Sequence, residues 1–318
     1  MPLILTPLMA IVFIMLLGAI IQKIKVLPNN ADQSLNLYVY YVALPAIIIA
    51  ALSNTPIDEI LQWGFIISLT LAMLLSYGLC IIVSLIFNPK NHSLAAIRAL
   101  NATFGNTAFI GIPIMMLLFP QQHNALTAAA VASLISILMF AITLVTIELQ
   151  LNKQHGSGLT IIMRALGTNP IVIAGIIGIT LSSLSFTLFA PLNLMLNQIG
   201  ATSSPCALFA IGMALAKAPR QVGTANTEKI KVTELCAINF VKLLLQPVLA
   251  YCLLFALNVE HQLLIMGVIL SALPTAASVY LLAQRYQIRT LSSALIVLLG
   301  TLLSFLSLPL IETLLTKG

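Results

Sequence analysis

The fold class this sequence predicts is an all-α membrane protein of about ten transmembrane helices in two inverted five-helix repeats, and three observations predict it. First, 60% of the 318 residues are hydrophobic and 7% are charged, with a mean hydropathy of +1.09. Soluble domains carry roughly 25% charged residues. Second, apolar runs recur with only short polar connectors between them, and a bilayer core of about 30 Å needs about 20 such residues per helical span. Third, of the connectors between spans only alternate ones hold Lys or Arg. The net charge of +6 would suggest nucleic acid in a soluble chain. Here it is a topology signal, and no nucleic-acid partner is expected.

Taking the polar breaks as boundaries gives spans at 3–21, 35–52, 61–87, 94–119, 125–149, 169–189, 192–216, 232–257, 261–284 and 291–315. The first run, Leu3–Ile21, lacks the basic start and small-residue cleavage site of a signal peptide, so it reads as a span. Connectors after odd spans hold Lys23 and Lys25; Lys90 and Arg98; Lys153 and Arg164; Lys217, Arg220, Lys229 and Lys231; Arg285 and Arg289. Those after even spans, Ser53–Ile60, Pro120–Asn124, the turn near Ala190 and Asn258–Glu260, hold none. The odd connectors are therefore expected in the cytoplasm and both termini outside a cytoplasmic membrane. Cys80, Cys206, Cys236 and Cys252 lie in apolar runs without ligand spacing, so neither a metal nor a disulfide is expected, and no cofactor is implied.

An internal repeat shows in the prolines. Pro7, Pro45 and Pro113 are matched by Pro170, Pro205 and Pro274, at offsets 170 − 7 = 163, 205 − 45 = 160 and 274 − 113 = 161. The longest polar gap, Gln150–Asn169, lies near the midpoint and carries Lys153, His155, Gly156, Ser157, Gly158 and Arg164. The domain reading is a first repeat at 1–150, a cytoplasmic connector at 151–168 and a second repeat at 169–318. With five spans per repeat, the second copy enters the membrane from the opposite side, a plan shared by many transporters.

The fourth span contains Gly105, Asn106, Thr107, Gly111 and Pro113 within an apolar run. Proline removes a donor and clashes with the carbonyl a turn earlier, and glycine permits non-helical backbone, so the helix is expected to break there. An ordinary proline kink is the plainer alternative. Its symmetry mate, Leu270-Ser-Ala-Leu-Pro-Thr-Ala-Ala-Ser278, interrupts the ninth span in the same way. Paired broken spans mark the substrate site of many secondary transporters, and half-helix amino ends favour an anion. The candidate substrate-binding residues are Asn101, Asn106, Thr107, Gly111, Pro113, Pro274, Thr275 and Ser278; for Asn101, Asn106, Thr107, Thr275 and Ser278 the plainer alternative is helix packing or a bond to a backbone carbonyl.

Lys242 joins them as the one Lys or Arg near the centre of a span. A lysine there costs about 2.5–3.5 kcal/mol on insertion scales, so it faces protein or water. It is either a counter-charge for an anionic substrate, or a lysine that snorkels or is held by carbonyls. Carboxylates keep to connectors and span ends, with Glu148 and Glu234 near the cytoplasmic ends, and all four histidines lie in connectors. No mid-membrane carboxylate or imidazole offers a proton relay, and no phosphate-loop, dinucleotide or metalloprotease motif suggests an enzyme.

The strings Asn101-Ala-Thr-Phe-Gly-Asn-Thr-Ala-Phe-Ile-Gly-Ile-Pro113, Ala272-Leu-Pro-Thr-Ala-Ala-Ser278, Ala43-Leu-Pro45 and Phe209-Ala-Ile-Gly-Met-Ala-Leu215 resemble the auxin efflux carrier family. That family includes the plant PIN-FORMED auxin exporters and bacterial malonate or malate permease-like proteins. The resemblance covers essentially the whole chain. It implies a fold similar to bile-acid and sodium–proton transporters, with the fourth and ninth helices crossing at Pro113 and Pro274. It further implies a dimerising scaffold from helices 1–2 and 6–7, hence a homodimer, and an elevator-like transport domain from helices 3–5 and 8–10. Plant members carry an acidic residue in the third helix, which Ile60–Phe87 lacks. The resulting expectation is a membrane-embedded carrier for a small organic anion, a dicarboxylate or auxin-like acid; a transporter-like sensor or channel is the alternative.

Overall fold

The computed structural model describes residues 5–120, 123–151, 163, 167–221 and 231–317, and every regular element among them is helical. In chain order these are α1 (Leu5–Ile24), α2 (Ala31–Ser53), a single turn at Ile57–Ile60, α3 (Trp63–Phe87), α4 (His92–Thr103), α5 (Ile112–Leu118), α6 (His123–Gln150) and α7 (Pro170–Ser183). They continue with α8 (Ala190–Ala201), α9 (Ser203–Gln221), α10 (Val232–Ala256), α11 (His261–Ser271), α12 (Ala277–Tyr286) and α13 (Thr290–Lys317). Most of the expected connector between the halves, with Lys153, His155 and Arg164, lies outside the described residues.

Six stretches among the described residues are long and apolar enough to cross a bilayer: Ala31–Ser53, Ile57–Phe87, Asn124–Gln150, Ala190–Ala214, Val232–Ala256 and Thr290–Leu315. Phe13–Ile24, Pro170–Ser183 and His261–Ser271 are shorter apolar helices. Their outward faces suit lipid and not water. On α13, for example, Leu302, Leu306, Leu310 and Leu314 recur every fourth residue and are all exposed. The chain is a multi-pass membrane protein.

Three π turns interrupt these helices, at Val39–Ala43, Thr107–Gly111 and Val241–Leu245. Each is followed two residues later by a proline, Pro45, Pro113 or Pro247. The cause is local. A proline ring clashes with the carbonyl four residues back, and a wider turn moves that carbonyl aside, so the helix continues through the proline. Pro113 accordingly stands near the start of α5 with helical neighbours. The break in the fourth span lies earlier, at Phe104–Asn106, where Phe104 is extended (φ −79°, ψ 93°).

Contacts divide the chain into two compact units. The first comprises Met1–Leu61, Ala108–Ala130 and Pro170–Thr227. Within it α1 packs along α9 and α2 along α7, at spacings only glycine allows: a Cβ on Gly212 would lie 1.9 Å from the Met15 carbonyl oxygen, and one on Gly178 2.7 Å from the Leu52 Cβ. The second comprises Gln62–Thr107, Val131–Asn169 and Glu228–Gly318. Its core is built by Tyr77, Ile97, Leu100, Met139, Ile147, Val279 and Ala283 from α3, α4, α6 and α12. At one end of this unit Glu234 receives a two-pronged contact from Arg98 (2.8 and 2.9 Å) and a third bond from Arg289 (2.7 Å), while Arg98 also reaches the Ser84 hydroxyl at 3.0 Å.

Candidate functional site

The site lies inside the second unit, where two helices stop and two backbone segments cross. Gly105 and Thr275 form an antiparallel bridge. The Asn106 N–H donates to the Pro274 carbonyl at 2.8 Å, and the Ala276 N–H donates to the Phe104 carbonyl at 3.0 Å. These reciprocal bonds satisfy peptide groups that the broken helices would otherwise expose, which at membrane depth costs several kcal/mol per group. A Cβ at 105 would sit 3.3 Å from the Lys242 Nζ, so any larger residue there would push the ammonium aside by a few tenths of an ångström.

The last carbonyls of α4 and α11 have no helical partner of their own, and side chains supply one. Thr275 Oγ1 donates to the Asn101 carbonyl at 2.6 Å, and Gln246 Nε2 donates to the Thr103 carbonyl at 3.3 Å. On the other helix, Lys242 Nζ donates to the Ser271 carbonyl at 2.6 Å and to Gln246 Oε1 at 2.9 Å. Lys242 is 1% exposed. One lysine and one glutamine, four residues apart on the same helical face, thus tie the carboxyl ends of both half-helices together. A carboxyl end carries about −0.5 charge, so the ammonium is electrostatically at home there. Of the two readings open for Lys242, being held by carbonyls describes its geometry, and it also walls a cavity.

That cavity, of about 20 Å³, is lined on its polar side by Thr103, Thr107, Ser136, Lys242, Gln246 and Ser271. This volume admits about one water, since a water needs some 10–15 Å³ of such space. A carboxylate would enter only after the walls move.

The candidates from the sequence separate into groups. Thr107 and Lys242 line the cavity. Asn106, Pro274 and Thr275 make the crossing, and Asn101 is buried one turn before it, with its Nδ2 donating to the Ile97 carbonyl (2.9 Å) and to Ser293 Oγ (3.0 Å). Ser278 is half-buried in the first turn of α12 and is not a lining residue. Gly111 and Pro113 lie further along, at the end of the π turn and the start of α5, and belong to the first unit. The backbone contact of the broken spans is therefore made by Gly105 and Thr275, whereas Pro113 and Pro274 were the expected crossing points. A proline that can be carried into a helix behind a π turn need not break it, and the glycine takes that role. Sequence reasoning missed Gln246, Ser271, Thr103 and Ser136. Gln246 carried a usable signal, a second polar residue one turn from Lys242 inside an apolar span.

Because the Thr275 hydroxyl is spent on a buried carbonyl, Thr275→Val should destabilise the folded chain by about 1–3 kcal/mol, and Thr275→Ser by less than about 1. Thermal unfolding of the purified variants checks this. Equal stability of both would remove the hydroxyl from the crossing's hydrogen-bond account.

Comparison with known proteins agrees with the fold. A family described as membrane transport protein matches residues 3–312. A protein of Rhizobium meliloti (strain 1021) named "Putative malonate transporter" is 26% identical over 295 residues, covering 91% of this chain and 88% of its own length. "Uncharacterized transporter YfdV" of Escherichia coli (strain K12) is 26% identical over 294 residues, covering 89% and 88%. With buried, crossing backbone at the heart of a multi-pass helical chain and a family match over nearly its whole length, this chain belongs to the membrane transport protein family, the family of the auxin efflux carriers.

Proposed function

We propose that this protein is a secondary carrier for a small organic anion, a carboxylate of the malonate class, and that it works by alternating access with the second unit carrying the site. The observation that carries the reading is the crossing of two broken spans at Gly105 and Thr275, beside a small cavity with one polar wall to which the buried Lys242 belongs. The name of the Rhizobium relative favours a dicarboxylate.

The ten-span inverted repeat, with odd connectors in the cytoplasm of a cell membrane and both termini outside, is part of this proposal. Hydrogen bonds between span ends support it. Arg98, Glu234 and Arg289 meet, Lys217 reaches Asp32, and Gln150 bonds the Lys90 carbonyl; all belong to connectors or adjoining ends on the expected cytoplasmic side. Asn54 bonds Asn193, Ser182 bonds the Thr55 carbonyl and Thr55 meets Thr127, all on the expected outer side. In unit one, α1 pairs with α9 and α2 with α7, which is the exchange expected if the first and second spans mirror the sixth and seventh. A homodimer through the first unit completes the proposal. Its energetics fit uniport or exchange driven by the substrate gradient and membrane potential, since no carboxylate or imidazole is placed at mid-span to relay protons.

Counterflow in proteoliposomes tests the reading. Unlabelled malonate inside should accelerate uptake of labelled malonate several-fold, because a loaded carrier returns faster than an empty one. Flux without acceleration by trans substrate would favour a channel, and binding without flux a sensor.

A further inference from the structure

Lys242 bonds two carbonyl-type oxygens, those of Ser271 and Gln246, and no carboxylate. The acidic groups that the second unit does bury are engaged elsewhere: Glu234 by Arg98 and Arg289, and Glu148 by the Tyr286 hydroxyl. Helix dipoles orient charge at the crossing but add none, because each helix's positive and negative ends cancel. Among the described residues, the compact unit that walls the cavity therefore places one ammonium group near the middle of its spans with no carboxylate bonded to it. Arg98, Arg289 and Glu234 stand at span ends, where they stay near water.

We propose that Lys242 is a fixed counter-charge that travels with the cargo. The empty site then crosses the membrane with +1, a site loaded with a monoanion with 0, and a site loaded with a dianion with −1. Burial without a compensating charge is costly, so the loaded site favours a singly charged carboxylate, either a monocarboxylate or a dicarboxylate carrying one proton or ester. Membrane potential then acts on the return of the empty carrier and leaves exchange of a monoanion untouched. Net charge moved per cycle is still that of the substrate; Lys242 decides which half of the cycle feels the field. This inference rests on the carrier reading above.

The experiment uses the full chain in proteoliposomes with labelled malonate and labelled monomethyl malonate, at a pH where malonate is doubly ionised and the ester singly. Exchange, with equal substrate on both sides, is measured with the potential clamped at zero and at a negative-inside value. The expected result is that exchange of the ester is the same at both potentials, while exchange of malonate changes several-fold. In Lys242→Gln the ester should acquire the voltage dependence that malonate shows in the unaltered protein, and Lys242→Arg should keep the original pattern. Ester exchange that responds to potential as strongly as malonate exchange, or a Lys242→Gln pattern matching the unaltered one, would overturn the assignment while leaving the carrier standing. Absence of counterflow for both compounds would instead overturn the carrier reading, and the counter-charge with it. If Lys242→Gln does not fold, the ester-to-malonate comparison in the unaltered protein still decides.

Discussion

Glu234→Ala is expected to cost about 1.5–3 kcal/mol of folding stability, because it removes the shared anion of a half-buried cluster whose hydrogen bonds all join charged groups. Glu234 holds two arginines at once, Arg98 through both carboxylate oxygens and Arg289 through one, and its side chain is 9% exposed. Removing it leaves two guanidinium groups, 14% and 19% exposed, facing each other with no anion between them. The loss propagates, because the cluster gathers the middle of α4, the start of α10, the connector before α13 and, through Ser84, the end of α3. Glu234→Gln keeps an acceptor oxygen but not the charge, and should fall between the parent and the alanine variant. Thermal unfolding in nanodiscs, read beside folded yield, makes the comparison. A change below about 1 kcal/mol for Glu234→Ala would mean that water or lipid headgroups neutralise the arginines, as they do for exposed pairs.

The fold class was legible because its cause is compositional: in lipid only helices or a closed barrel satisfy the backbone, and unbroken apolar runs of about 20 residues, without the alternation of barrel strands, select helices. The site was legible in outline for a related reason. Gly105, Asn106, Pro274 and Thr275 are poor residues for a lipid-facing helix, and they make the crossing. On the first of the two spans its centre was placed at Pro113, where the family resemblance put the crossing, and not at Gly105. At Pro45, Pro113 and Pro247 the helix instead widens into a π turn and carries on, an accommodation that depends on a whole turn of neighbours and leaves no mark at the proline. The role of Lys242 stayed open for a different reason. Whether a mid-span lysine meets a substrate or a carbonyl depends on where Ser271, 29 residues away, ends its helix, and no local pattern reports that. Contacts such as Gly212 against Met15 were not legible, since each glycine looks ordinary until the two helices are laid together.

Gly212→Val should be among the most damaging single substitutions in the first unit. A Cβ built on Gly212 lies 1.9 Å from the Met15 carbonyl oxygen, 2.6 Å from its carbon and 2.8 Å from its Cα, so what it meets is backbone and cannot rotate away. The reciprocal position is as tight, with a Cβ on Gly18 2.2 Å from the Phe209 carbonyl oxygen. In lipid, association gains little from the hydrophobic effect and depends on close packing, so small residues at a crossing decide whether helices meet at all. Gly212→Ala should already cost about 1–3 kcal/mol through forced separation of α1 and α9, and Gly212→Val more. The two glycines face one another's helix across a single crossing, so their effects should not add. Once Gly212→Ala has pushed the helices apart, Gly18→Ala has less contact left to lose, and the double variant should fall short of the summed losses by about 0.5 kcal/mol or more. Gly78→Ala is the internal control: a Cβ there meets nothing within 4 Å, and removing a helical glycine should leave stability unchanged or raise it by up to about 1 kcal/mol. Thermal unfolding of the four variants and the double mutant settles the matter, and strictly additive losses at Gly18 and Gly212 would mean that the two positions do not share one crossing.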